Sequence, residues 1–252
     1  MEQQLAAWFA AQDALVFASG YLANLGALGA LLSPQDLVVA DRLVHASLLD
    51  AARGSGATVR VFRHNDPGHA AEVLARAGVR ARRRLLVTEG VFGMDGDRAP
   101  LGELLEAAAA HDAMIYLDDA HGAFVVGAAG RGSPEAAGIA HERFIYMGTL
   151  GKALGAQGGF VVGPRALIDY LRNRARTFIY ATALAIPVAA AACEALRVME
   201  DEPQRRSVLQ AKVLRLCRQL PRPWAPASRC RCEPLGVEPP ALVTGTAVAG
   251  PG

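Results

Sequence analysis

Lysine is almost missing from this chain. Of its 26 basic residues only Lys152 and Lys212 are lysine, and the rest are arginine. Cysteine is scarce as well: Cys193, Cys217, Cys230 and Cys232 in 252 residues supply no disulfide framework. The CxC at 230–232 is not the paired CxxC array of a zinc site, so no metal is expected. An excess of one charge is absent too. The formal net charge is +2, and the one arginine cluster, Arg82 to Arg84, runs into the apolar Leu85–Val87 and reads as a solvated strand entrance, which argues against a nucleic-acid partner. The longest apolar run, Ala183 to Ala192, contains Pro187 and falls short of the ~20 residues of a membrane span. The acidic start, MEQQLAAWFAAQ, lacks the basic leader of a signal peptide. The expectation is a cytoplasmic protein with no membrane partner.

What is present is ordinary globular material, 52% hydrophobic and 20% charged, enough for one large domain or two modest ones. Short apolar runs alternate with helical patterns. Strands are expected at Ala14–Phe17, Leu37–Ala40, Thr58–Phe62, Leu85–Val87, Met114–Leu117, Phe144–Met147 and Gly159–Val162. Helices are expected at Tyr21–Leu32, Ala46–Gly54, His69–Ala77, Leu101–His111, Ala183–Met199 and Arg205–Leu220. Several strand runs show no polar alternation, as in strands covered on both faces. The order implies an α/β fold with a mainly parallel, seven-stranded sheet flanked by helices. The last 32 residues hold seven of the 14 prolines and carry no helical period.

In such sheets ligands sit beyond the carboxyl ends of the strands. Five strand ends deliver ASGYLAN, DRLVHASL, TEGVFGMDGD, DDAHG and GTLGKALG to one edge, and with them His45, Asp118, His121 and Lys152. The glycine-rich stretch around Lys152 is not a P-loop: that motif's first glycine position is Tyr146, and Ala153 follows the lysine. The remaining use for the amine is nucleophilic, as a Schiff base with an aldehyde, in a site that disfavours its charged form. Pyridoxal phosphate suits such a lysine, with a buried carboxylate for its ring nitrogen. Asp118 fits that part, His121 can donate to the phenolic oxygen and His45 can stack on the ring. Taken singly, a strand-end Asp is a cap or turn residue, and His45, His64 and His141 are structural or surface groups. Asp118 and His121 as metal ligands lack a third partner. The joint placement with Lys152 argues for a site.

The stretches SGYLAN, DRLVHASLLDAA, FRHND, TEGVFGMDGDRAPL, LDDAHGAFVVGAAGRGS, GTLGKALGAQGGFVVG and FIYATAL run in the order of the α-oxoamine synthases, which the chain resembles over roughly residues 1 to 220. That family comprises fold-type I pyridoxal-phosphate enzymes. DDAHG and FIYATAL resemble its biotin-pathway branch; the sister branches include one that uses glycine. The resemblance implies decarboxylative condensation of L-alanine with pimeloyl-CoA or a pimeloyl-carrier protein, giving 8-amino-7-oxononanoate. It implies that Lys152 holds the cofactor and serves as catalytic base, with His45 as its catalytic companion stacked on the ring. Asp118 would face the pyridine nitrogen, His121 the phenolic oxygen, Gly20 and Tyr21 the cofactor, and Thr149 its phosphate. Thr182 would reach the phosphate of a second subunit in a homodimer with shared sites.

The chain departs from the family pattern in three ways. Gly93 stands where a serine that holds the phenolic oxygen is usual; losing such a bond costs roughly 1–3 kcal/mol. Phe124 is expected to reshape the pocket mouth. The ends differ as well. Residues 1–202 read as the cofactor-binding large domain without its N-terminal arm, 203–220 as the start of a small C-terminal domain, and 221–252 as a proline-rich, disordered or frame-shifted tail. A catalytically impaired remnant that binds cofactor or dimerises is the competing reading.

Overall fold

The computed structural model describes residues 1–77 and 81–219. In chain order the elements are α1 (Glu2–Trp8), β1 (Asp13–Phe17), α2 (Gly20–Leu31), β2 (Leu37–Asp41), α3 (Ala46–Gly54), β3 (Thr58–Phe62), α4 (Pro67–Ala77), β4 (Arg84–Glu89), α5 (Leu101–Ala109), β5 (Ala113–Asp118), α6 (Ser133–Ala136), β6 (Phe144–Thr149), β7 (Gly159–Gly163), α7 (Arg165–Arg174), α8 (Arg176–Ile179), α9 (Ile186–Asp201) and α10 (Gln204–Gln219). The seven strands form one sheet in the order β1-β7-β6-β5-β4-β2-β3. Among the described strands, β7 alone runs against the direction of the rest.

The apolar strand runs fill two cores. Leu37 and Val39 of β2, Ile115 and Leu117 of β5, and Tyr146 of β6 pack toward α1, α4, α5 and α9. Their in-between residues, Val38, Ala40, Tyr116, Ile145 and Met147, pack toward α2, α3 and α7. Side chains of a strand alternate between faces. With a core on both faces, the central strands become almost continuously apolar, whereas edge strand β3 keeps Arg60 and Val61 exposed. The same alternation places Glu89 and Asp118, in register as the last residues of β4 and β5, on the α2–α3 face.

Connections leave β2 toward α3 on one face and β4 toward α5 on the other. The strand order therefore reverses between β2 and β4, which opens a crevice at their carboxyl ends. β7 begins at this same edge because it runs the other way.

The seven expected strands form at their expected places. α1, α6, α7 and α8 are additional. α5 stops at Ala109 because the chain turns through Asp112 at φ 50°. α9 starts at Ile186, with Pro187 in its first turn, where the missing N–H costs nothing. The expectations for residues 221–252, and for Cys230 and Cys232, lie outside the described residues.

Phe124 corrects the expectation placed on it. It is 0% exposed and packs with Trp8, Phe9 and Phe160 at ring-centroid distances of 5.3–5.8 Å. The loop turns through Phe124 at φ 67°, which drives the ring into the α1-side core and away from any pocket mouth. Phe124→Ala is expected to destabilise the fold by roughly 3–5 kcal/mol, seen as a lower denaturant midpoint.

Candidate active site

Asp118 is 5% exposed and is held from two sides. Its Oδ1 accepts from the backbone N–H of Ala120 (3.0 Å) and its Oδ2 from Nδ2 of Asn24 (2.7 Å). Asn24 projects from α2, and its Oδ1 accepts from the buried hydroxyl of Tyr116 (2.9 Å). Nδ2 of Asn24 also donates to Oγ of Ser47 (2.8 Å). Ser47 in turn meets Nδ1 of His45, 2.8 Å away. Because Nδ1 also accepts from the backbone N–H of Ser47 at 3.3 Å, the ring proton belongs on Nε2. One hydrogen-bonded chain, Asp118–Asn24–Ser47–His45, thus fixes the carboxylate and aims the exposed imidazole.

Lys152 follows β6, and its Nζ lies 2.6 Å from Nε2 of His121. Burial of the amine end pulls the Lys152 pKa below its ordinary value, against the pull of the Asp118 and Glu89 carboxylates. The His121 pKa is lowered by burial and then by the nearby Lys152 charge. The imidazole of His121 takes up the space beside Gly93: a Cβ built there would overlap Nε2 of His121 and stand 2.9 Å from its Cε1.

Thr149, the last residue of β6, donates its hydroxyl to the carbonyl of Gly158 (2.9 Å) and accepts from the N–H of Gly151 (3.2 Å). Gly20 opens α2 beside it, and a Cβ there would sit 3.6 Å from that hydroxyl. A Cβ on Gly159 would come within 2.5 Å of the Gly20 Cα, so the β7 strand reaches the α2 N-terminus backbone to backbone. Ser19 caps that helix by accepting from the N–H of Leu22.

Lys152, His121, Asp118, His45, Thr149 and Gly20 therefore gather on one sheet edge. Tyr21 turns its hydroxyl to Asp50 of α3 (2.8 Å). Thr182 lies on exposed chain between α8 and α9; among the described residues no hydrogen bond joins either to the others.

Four further residues shape the site without having been singled out from sequence. Glu89, Asn24 and Ser47 are buried. Glu89 and Asp119 are carboxyls pushed up, to about 7 and about 6, by burial first and by the Asp118 charge. Asp119 ties down the loop that follows it, accepting from Ser133 N–H (2.7 Å) and hydroxyl (2.6 Å) and from the Tyr146 hydroxyl (2.9 Å). The legible signal for Glu89 was a charged residue closing an apolar strand, RLLVTE. His64 also leaves the surface: its ring bridges Asp41 (2.9 Å) and Asp97 (2.8 Å) under an edge-on Phe92. Burial opposes its charge, but the two carboxylates outweigh it and raise the pKa.

Comparison with known proteins bears on the family and the fold. The family described as aminotransferase class I and II matches residues 1–229. The 8-amino-7-oxononanoate synthase of Alkalilimnicola ehrlichii is 49% identical over 216 residues, 85% of this chain and 55% of that protein. A serine palmitoyltransferase solved with PLP as an internal aldimine superposes with a TM-score of 0.79 at 34% identity, covering 83% of this chain and 52% of that one. The 8-amino-7-oxononanoate synthase of Francisella tularensis gives 0.74 at 30%, covering 86% and 63%. The chain spans about half the length of these relatives.

Without added cofactor, Lys152→Ala removes a positive neighbour, so the His121 midpoint should rise in an NMR titration of its ring protons. Gly93→Ser should move the same ring off Lys152 and shift the same resonances. An unchanged His121 in both variants would contradict the geometry.

Proposed function

The chain belongs to the aminotransferase class I and II family, and on that footing we propose that it is the cofactor-binding part of an acyltransferase using pyridoxal 5'-phosphate. The proposed reaction condenses L-alanine with a pimeloyl thioester, on coenzyme A or a carrier protein, to 8-amino-7-oxononanoate, CO2 and free thiol, as in biotin biosynthesis. The observation that carries it is the meeting of Lys152, His121 and Asp118 at adjacent strand ends, in a chain 49% identical to such a synthase. We assign residues 1–202 to the cofactor domain and 203–220 to the start of a second one.

The residues present fit the cofactor. Asp118 offers a buried carboxylate whose two protein donors leave lone pairs free. His45 offers an exposed ring held from beneath. The N-terminus of α2, beside Thr149, offers backbone N–H groups and a favourable dipole for a phosphate. When bound, PLP supplies an aldehyde that captures amines and a ring that draws electrons from the bond being broken. Asp118 holds the ring nitrogen's proton in place, and His121 donates to the phenolic oxygen. Lys152, its amine shifted toward the neutral form, accepts the α-proton of alanine at Nζ. In a homodimer Thr182 serves the neighbour's phosphate. The large apolar residues exposed around it, Tyr180 at 72% and Ile186 at 84%, suit a subunit contact.

The likeness to serine palmitoyltransferase favours a second reading, a sister synthase that takes serine or glycine. The test is a PLP titration of the purified chain. A visible band that borohydride abolishes, absent in Lys152→Ala, is expected; perturbation by L-alanine in preference to glycine or serine, and product from pimeloyl-CoA, would separate the two synthases. Binding without turnover would point to a remnant. Asp118→Asn is expected to lower turnover by roughly 100-fold or more, measured as product formed under saturating PLP.

A further inference from the structure

Glu89 stands at the reversal of strand order, between the two loops that line the crevice. It is 6% exposed. Its carboxyl accepts from the backbone N–H of His45, beyond β2, at 2.6 Å, and the backbone N–H of Gly93, beyond its own strand, favours its charged form. On its other side stands Asp118, its in-register neighbour on β5. Few side chains touch three of the segments that build a site. Through His45 the carboxyl sets the main chain from which that imidazole projects. Through Gly93 it sets the turn against which the His121 ring packs.

We propose that Glu89 is a positioning residue: it fixes the His45 and Gly93 main chains on either side of the crevice and faces Asp118 as a neutral hydrogen-bonding group, leaving Asp118 as the single negative charge presented to the cofactor.

Two carboxylates in register on adjacent strands, buried together, repel, and the one farther from compensating groups keeps its proton. The charged and titratable groups around Glu89 are Asp118 on β5, Lys152 beyond β6, and His45 and His121 on the flanking loops. Burial and the Asp118 charge raise its pKa to about 7, while the two N–H donors and the Lys152 charge pull the other way. Folding that raises an acid's pKa takes up a proton. The stability linked to Glu89 is therefore present below its ordinary pKa of 4.5 and is lost as pH rises through about 7. Glutamine copies the neutral form: its carbonyl still accepts from His45 and faces the Gly93 N–H, and its amide can donate toward Asp118. Leucine copies the shape and offers no acceptor.

The inference rests on the cofactor reading only for its second half, so the experiment has two arms. In the first, the full chain and its Glu89→Gln variant are unfolded in urea without cofactor at pH 5 and pH 8. Relative to the variant, the folding equilibrium of the parent should fall at least tenfold between the two; equal pH dependence overturns the proposal. In the second, PLP is titrated by absorbance into the parent, Glu89→Gln and Glu89→Leu. The Gln variant should bind within about threefold of the parent at pH 7, and the Leu variant, folded by circular dichroism, at least tenfold more weakly. A folded Leu variant that binds as the parent does, or a Gln variant as weak as Leu, overturns it. If the Leu variant does not fold, the Gln variant decides through its retained affinity. If the parent itself takes up no PLP, the cofactor reading fails by itself and the urea arm still decides the role of Glu89.

Discussion

Burying a carboxylate at the end of a central strand is costly unless donors meet it, and the architecture of this site follows from meeting that cost at Asp118. The donors are Asn24 and the Ala120 N–H. Asn24 can serve because α2 lies on the face toward which Asp118 points, and because the Tyr116 hydroxyl occupies its carbonyl and so fixes which end of the amide is the donor. The second amide proton goes to Ser47, and Ser47 orients His45. One buried charge thereby sets the position of α2 against the sheet, the start of α3 and the direction of an exposed ring.

The central strands were legible because both faces of the sheet are covered there, which turns them into nearly unbroken apolar runs. The convergence of Asp118, His121, Lys152 and His45 was legible because each directly follows such a run. Residues acting through the main chain were not. Glu89 makes its bonds to backbone N–H groups, a role any acceptor could fill and no spacing announces. Asn24 and Ser47 sit inside helices, where polar residues usually face water. Phe124 misled for a related reason: its motif suggested a pocket wall, but a loop turning through positive φ sends the ring inward. α1, only seven residues long, has too little length for periodicity to declare it.

Three groups near the crevice, two buried and one half-buried, hold protons more tightly in the fold than their ordinary values imply: Glu89, Asp119 and His64. For all three the linked stability is greater at low pH and declines as pH rises, although the causes differ. Glu89 and Asp119 are disfavoured as anions by burial, whereas His64 is favoured as a cation by two carboxylates. His64 joins the end of β2 to the loop after β4, the same two segments that flank Glu89. The loops are pinned twice, once by an imidazole shared between two carboxylates and once by a buried carboxyl that accepts from the main chain.

The reversed direction of β7 has a mechanical result. Lys152 rides on a short return between neighbouring strands rather than on a long crossover, and both ends of that return are anchored by the Thr149–Gly159 pairing. Inside it, Leu150 bonds Gly158 and Ala156 bonds Leu150. The backbone under the amine is thereby tethered on two sides, like a peg on a stiff clasp. Any travel the nitrogen makes has to come from its four methylene links, so its reach is bounded by the length of one side chain.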